Sequence, residues 1–238
     1  MLKAVDLTKR YEDNHLALDA LNLEIGKGEI FCLLGANGAG KTTTINLFLN
    51  FIEPTSGKAF INDIDVSKEP LKAKKYISYV CENVMLYGNF TARQNLDFFA
   101  RLGGKNNLTK EDYYMYMRDV GLQEEAFEKK VKTFSKGMRQ KIGLTIAIIK
   151  DTPAILLDEP TTGLDPKAAS ELTRILLRLK QEGKAIFMCT HDIFRAKAIA
   201  DKVGIMKDGR LVMMRTRKEF LEDDLERIYL DYMQEPVV

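Results

Sequence analysis

Five apolar residues, Ile30-Phe31-Cys32-Leu33-Leu34, run directly into Gly35-Ala36-Asn37-Gly38-Ala39-Gly40-Lys41-Thr42, and no other stretch constrains the chain as much. The pattern G-x-x-x-x-G-K-[ST], set between a strand-like run and a helix-forming one, is a phosphate-binding loop. Gly35, Gly38 and Gly40 permit backbone conformations that a side chain forbids. Consecutive N–H groups, those of Asn37, Ala39 and Thr43 among them, can then turn inward around a polyphosphate. The helix that follows, expected over Thr43 to Phe51, adds the partial positive charge of its N-terminus. Lys41 can reach the β- and γ-phosphates, and the Thr42 hydroxyl can face Mg²⁺. A nucleoside triphosphate is the implied ligand.

The chain has 238 residues, 45% of them hydrophobic, enough for one substantial core and against disorder. Lys and Arg number 36 against 34 Asp and Glu, a net charge of +2, so no basic surplus points to a nucleic-acid partner. Cys32, Cys81 and Cys189 lack metal-ligand spacing, and the first and last sit in apolar strand-like runs, which fits a reducing compartment. No secretory leader opens the chain, and the longest apolar run, Ile142 to Ile149, is far short of the ~20 residues of a membrane helix.

In chain order, Leu2 to Ile25 predicts an antiparallel β element with a turn at Glu12-Asp13-Asn14. Tyr11, upstream of the phosphate loop, is either a half-buried strand tyrosine or a platform for a purine. Pro54 to Gly57 is a turn, followed by strands at Lys58–Asn62 and Ile77–Val80. The loop after them carries Met85, Leu86, Tyr87 and Phe90, which either cover the core or form a patch for a partner. Thr91-x-x-Gln94 and Thr109-x-x-Asp112 read as capping boxes of helices reaching Leu102 and Val120. Residues 91–150 thus form a helical lobe between strands of the sheet, ending in a helix at Lys141–Lys150. Ser135 and Gly137, just before it, make either a plain cap or an anion site.

Two further apolar runs end in chemistry-bearing residues. Ala154 to Leu157 empties into Asp158-Glu159, and Ala185 to Cys189 into Thr190-His191. Carboxyl ends of strands are where open α/β sheets place their ligands. Asp158 suits Mg²⁺, and Glu159 suits accepting a proton from, or orienting, an attacking water. His191 closes on the same edge. Asp165 precedes Pro166 and is placed to cap a helix reaching Glu182. Val203 to Met214 reads as a hairpin about Asp208-Gly209, and Lys218 to Met233 as an apolar and acidic helix.

In this order the motifs resemble those of ATP-binding cassette (ABC) ATPases over nearly the whole chain. Tyr11 matches the aromatic loop, Gly35 to Thr42 the Walker A loop, Ser135 to Gln140 the signature, Ile155 to Glu159 Walker B, Gly163-Leu164-Asp165 the D-loop and His191 the switch histidine. The resemblance implies an α/β fold: a P-loop NTPase core with a mixed sheet, formed by residues 1–90 and 151–238, an N-terminal antiparallel β element, and an inserted helical subdomain over residues 91–150. It implies ATP and Mg²⁺ as ligands and a catalytic set of Lys41, Glu159 and His191. It also implies head-to-tail pairing with a second ABC ATPase subunit, in which Ser135 and Gly137 meet the other subunit's γ-phosphate and Asp165 lies at the seam.

Two departures are informative. Lys136 stands inside the signature, and Glu82 stands where the family usually has a glutamine, able to ligate Mg²⁺ yet adding negative charge. Both features are similar to those of bacterial export cassettes serving separate multi-helix permeases. The expected protein is therefore a transporter's ATP-hydrolysing subunit, on the cytoplasmic face of the membrane through an integral permease, with no nucleic acid bound. The alternatives are a soluble ABC ATPase acting on nucleic acid or the ribosome, and a low-turnover regulatory ATP-binding module.

Overall fold

The computed structural model describes residues 1–222 and 224–234. The strands are β1 (Leu2–Arg10), β2 (Leu16–Ile25), β3 (Ile30–Leu34), β4 (Ser56–Ile61), β5 (Ile64–Asp65), β6 (Ile77–Val80), β7 (Ala154–Asp158), β8 (Ala185–Thr190), β9 (Lys202–Lys207) and β10 (Arg210–Thr216). The helices are α1 (Lys41–Phe48), α2 (Pro70–Ala73), α3 (Ala92–Leu102), α4 (Lys110–Asp119), α5 (Lys136–Lys150), α6 (Pro166–Gln181), α7 (Ile193–Ile199), α8 (Arg217–Glu222) and α9 (Leu225–Gln234).

Two sheets result. An antiparallel sheet has the order β2-β1-β4-β5, and the expected N-terminal β element is its first pair. The second sheet, β10-β9-β3-β8-β7-β6, is parallel except for β10, which folds back on β9 through the turn at Asp208-Gly209. This is the expected α/β architecture with a mixed sheet.

Both faces of the second sheet are covered, which is why its strands read as unbroken apolar runs. Alternate residues serve different cores. Ile30, Cys32, Leu34, Ile155, Leu157, Ile186 and Met188 face one that continues through Leu96 of α3, Met117 of α4 and Ile142 of α5. Phe31, Leu33, Leu156, Phe187 and Cys189 face the other, shared with α1 and the antiparallel sheet. Because β3, β8, β7 and β6 are parallel neighbours, their carboxyl ends lie along one edge. Gly35, His191, Asp158 with Glu159, and Cys81 with Glu82 all follow directly from it.

Several boundaries differ from expectation. The helix after the phosphate loop begins at Lys41 and ends at Phe48, so the loop's own Lys and Thr occupy its first turn. The signature helix begins at Lys136 rather than Lys141, because the Ser135 side chain accepts the Met138 N–H and supplies the N-cap. The capping boxes at Thr91 and Thr109 are formed with both reciprocal bonds. The tail has two helices, α8 and α9, with a turn at Asp224 before the second; residue 223 lies outside the described residues.

Candidate active site

The phosphate loop is shaped by contacts that leave no room for side chains at two glycines. A Cβ on Gly35 would lie 2.5 Å from the Met206 carbonyl oxygen, and one on Gly40, whose φ is 107°, only 2.4 Å from that of Ala17. The β9–β10 turn buttresses the loop: Gly209 N–H donates to Ala39 O at 3.0 Å, and Asp19 N–H to Gly209 O at 2.8 Å. Ala39 is buried and its N–H closes a turn on Ala36 O at 3.2 Å. Gly40→Ala is therefore expected to lower stability by at least ~2 kcal/mol, read as a shift of the urea midpoint; an unchanged midpoint would show that the loop yields.

Lys41, 5% exposed, donates to the carbonyls of Gly35 (2.6 Å) and Ala36 (3.1 Å) and lies 3.4 Å from Glu159 Oε1. Thr42 Oγ1 donates to Asp158 Oδ2 at 3.1 Å, while Asp158 Oδ1 is buried without a partner. Burial raises the Asp158 pKa above its ordinary value against the lowering by the Thr42 hydrogen bond, with Glu159 and Glu82 adding to the rise and Lys41 opposing it.

Glu159 takes a left-handed backbone conformation, φ 45°, which costs a non-glycine residue about 1 kcal/mol and is typical of strain kept at working sites. Its N–H donates to Cys189 O at 2.9 Å, tying the end of β7 to β8. Its Oε2 accepts the Thr162 hydroxyl at 3.1 Å and lies 2.9 Å from His191 Nδ1. Oε1 accepts no hydrogen bond and faces Lys41. The carboxylate is thus hydrogen-bonded through one oxygen and turned towards the Lys41 ammonium with the other.

Tyr11, Asn37, Gly38, Gly40, Lys41, Thr42, Thr43, Glu82, Asp158 and Glu159 line one cavity of about 380 Å³, which gathers most of the residues singled out from the sequence. Gly35 contributes through its carbonyl to Lys41, and His191, whose ring is exposed, through Glu159. Two further wall residues, His15 and Ala17, went unnoticed in the sequence. The turn at residues 12–14 was the available signal, since it carries His15 back to Tyr11, where Tyr11 N–H donates to His15 O at 2.9 Å.

Ser135 and Gly137 are not part of this cavity. They line a separate one of about 490 Å³ with Asp165, Ala168, Lys141 and Gly121. Asp165 caps α6 by accepting the Ala168 N–H at 2.9 Å, as its position before Pro166 suggests. Of the apolar groups expected in the loop after β6, Leu86 packs on the core, whereas Met85 and Tyr87 are 82% and 49% exposed. Tyr87 meets the Phe98 ring edge-on at 4.8 Å, making an aromatic surface patch with Phe90.

No cluster of three or more His, Cys, Asp or Glu with metal-binding geometry occurs among the described residues. Mg²⁺ does not require one, since it takes one or two carboxylates and completes its shell with phosphate and water. The Thr42 hydroxyl beside the orphaned, buried Asp158 Oδ1 fits that donor set.

Comparison with known proteins points the same way. A family model described as ABC transporter matches residues 18–162. The carnitine transport ATP-binding protein OpuCA of Listeria monocytogenes is 35% identical over 236 residues, 98% of this chain and 59% of OpuCA. The chain thus spans less than two thirds of that relative's length. The bacitracin transport ATP-binding protein BcrA of Bacillus licheniformis is 37% identical over 213 residues, 89% of this chain and 68% of BcrA. Among solved structures, the dimeric post-hydrolysis state of the ATP-binding cassette MJ0796 bound to ADP and Pi has a TM-score of 0.83 at 26% identity, covering 91% of this chain and 99% of that one. The cbiO1 protein of Clostridium perfringens, part of the ABC transporter complex cbiONQ, has a TM-score of 0.81 at 26% identity and covers 98% of each.

Proposed function

The chain belongs to the ABC transporter family, and from that premise we propose that it is the ATP-binding and ATP-hydrolysing subunit of an exporter whose membrane-crossing part is a separate permease. The observation that carries the hydrolytic reading is the buried Glu159, held through Oε2 by Thr162 and His191 while Oε1 faces Lys41 of the phosphate loop. An oxygen presented in this way can orient a water towards a γ-phosphate and take its proton. His191 would fix the carboxylate through its contact with Oε2. Lys41, now satisfied by two loop carbonyls, can exchange them for phosphate oxygens, which are stronger acceptors. Tyr11 would flank the base. Thr42 and Asp158 would hold Mg²⁺, with Glu82 on the same wall, and the ion when bound neutralises phosphate charge.

The separation of Ser135 and Gly137 from the phosphate-loop cavity supports pairing of two subunits. In a head-to-tail pair, the N-terminus of α5 in one copy would cover the nucleotide of the other, with Asp165 at the seam. The MJ0796 cassette is dimeric in its post-hydrolysis state, which supports pairing here. Residues 91–150 would be the lobe that carries the signature.

No helix among the described residues is long and apolar enough to cross a membrane. The patch of Met85, Tyr87, Phe90 and Phe98 would give a permease its docking face on the cytoplasmic side. The export direction rests on Lys136 and Glu82, since the relatives named above are for carnitine and bacitracin transport. The test is affinity purification of the chain at native expression from gently solubilised membranes. Stoichiometric recovery of a multi-helix membrane protein is expected. Recovery of ribosomes, nucleic acid or nothing would overturn the transporter reading.

A further inference from the structure

Glu82 is the third carboxylate in a cavity that, on the reading above, must accept a polyphosphate, and it sits there with Asp158 and Glu159 against Lys41 as the lysine on the wall. Its side chain is turned towards α5. Lys136 Nζ, which is not part of the cavity wall, donates to Glu82 Oε1 at 3.0 Å. The Lys136 stem runs beside Gly163, where an added Cβ would have Lys136 Cδ at 3.5 Å and Nζ at 3.7 Å. One turn further along α5, Gln140 Nε2 donates to the carbonyls of Cys81 (3.2 Å) and Glu82 (2.7 Å). One turn beyond that, Gly143 leaves room for the next part of the loop, since a Cβ there would lie 2.9 Å from Val84 Cγ2. The i, i+4, i+7 stripe 136–140–143 thus holds the Glu82 carboxylate at its first position and the carbonyls of residues 81 and 82 at its second, and makes room for the Val84 side chain at its third.

We propose that Lys136 is a positioning residue for the nucleotide site of its own chain: by holding the Glu82 carboxylate against α5 it keeps that charge away from the phosphates in the phosphate-loop cavity. This deepens the nucleotide-binding reading and rests on it. A signature residue would then act twice, in the partner-facing helix N-terminus and, through Glu82, on nucleotide bound in the same subunit. Without Lys136 the carboxylate is free to swing across the cavity mouth, where a negative charge opposes a polyphosphate. Both side chains are partly exposed, so water and salt limit the effect.

The test measures the Kd of ATP for the isolated full-length subunit by calorimetry at low salt, in excess EDTA, with monomer verified by light scattering. EDTA removes any metal-ligand role of Glu82, and the monomer removes contact across a subunit seam. Lys136→Met keeps the stem against Gly163 and removes the charge; a Kd about fivefold weaker is expected, shrinking as salt is added. Lys136→Arg should stay within about twofold, since the charge is kept. In the Glu82→Gln background, Lys136→Met should change Kd by no more than about twofold, the remainder being the direct field of the lysine on the phosphates. An unchanged Kd in Lys136→Met, or an equal weakening with and without the Glu82 charge, would overturn the proposal while leaving nucleotide binding intact. Failure of the unsubstituted subunit to bind ATP would overturn both.

Discussion

Glu159→Gln is expected to lower the turnover of ATP by about a hundredfold or more while leaving ATP binding in place. The amide has the carboxylate's shape, so the grip on one oxygen by Thr162 and His191 survives. Basicity is lost at the oxygen that faces the phosphate loop. ATP affinity should hold or rise, because the variant also removes the anion 3.4 Å from Lys41 and so leaves that ammonium to the phosphates. With hydrolysis stopped and binding retained, an ATP-loaded pair of subunits should accumulate and elute early on a sizing column. Turnover equal to that of the unsubstituted protein would remove Glu159 from the role of base.

The residues behind that prediction were legible in the sequence for a physical reason. Asp158 ends one buried strand of the second sheet, Glu159 and His191 follow directly on two of them, and Lys41 and Thr42 close the loop that leaves a third. Short local patterns therefore reveal both the strand and the chemistry at its end. The antiparallel element, the two capping boxes and the β9–β10 turn were legible on the same ground, since each is written within a few residues. Interactions across the chain were not. The Lys136–Glu82 pair spans 54 residues, and no local pattern records that Gln140 holds the carbonyls beside it. The place of His15 depends on how β1 and β2 close over the loop, which no single residue type records. In the sequence Lys136 and Gly137 read as loop residues, whereas the Ser135 cap and the packing of α5 against the loop after β6 make them the first turn of α5. Whether Met85 and Tyr87 were buried could not be read from residue type, because partners from other elements set how the loop lies: Asn95 accepts the Tyr87 N–H at 2.8 Å, and Gln140 donates to the carbonyls of Cys81 and Glu82.

Asp158→Asn should move activity and stability in opposite directions. Burial is the largest influence on Asp158 and raises its pKa, and the nearby carboxylates of Glu159 and Glu82 raise it further. A carboxyl group whose folded pKa lies above its unfolded value costs the fold stability wherever it is charged in both states. That cost is fully present above the raised folded value. It fades as pH falls from there towards the unfolded value near 3.8, and is absent below it. Asparagine can still accept the Thr42 hydroxyl but carries no charge to bury. At neutral pH the variant should therefore gain about 1 kcal/mol, or roughly 2–4 °C in Tm, with the gain vanishing in acid. Turnover should fall about a thousandfold, since the buried oxygen suited to Mg²⁺ is lost. Paired thermal melts across pH and single-turnover assays read both signs. A Tm at or below that of the unsubstituted protein at neutral pH would show that Asp158 serves the fold rather than burdening it. Retained turnover would show that it is not the carboxylate the metal needs.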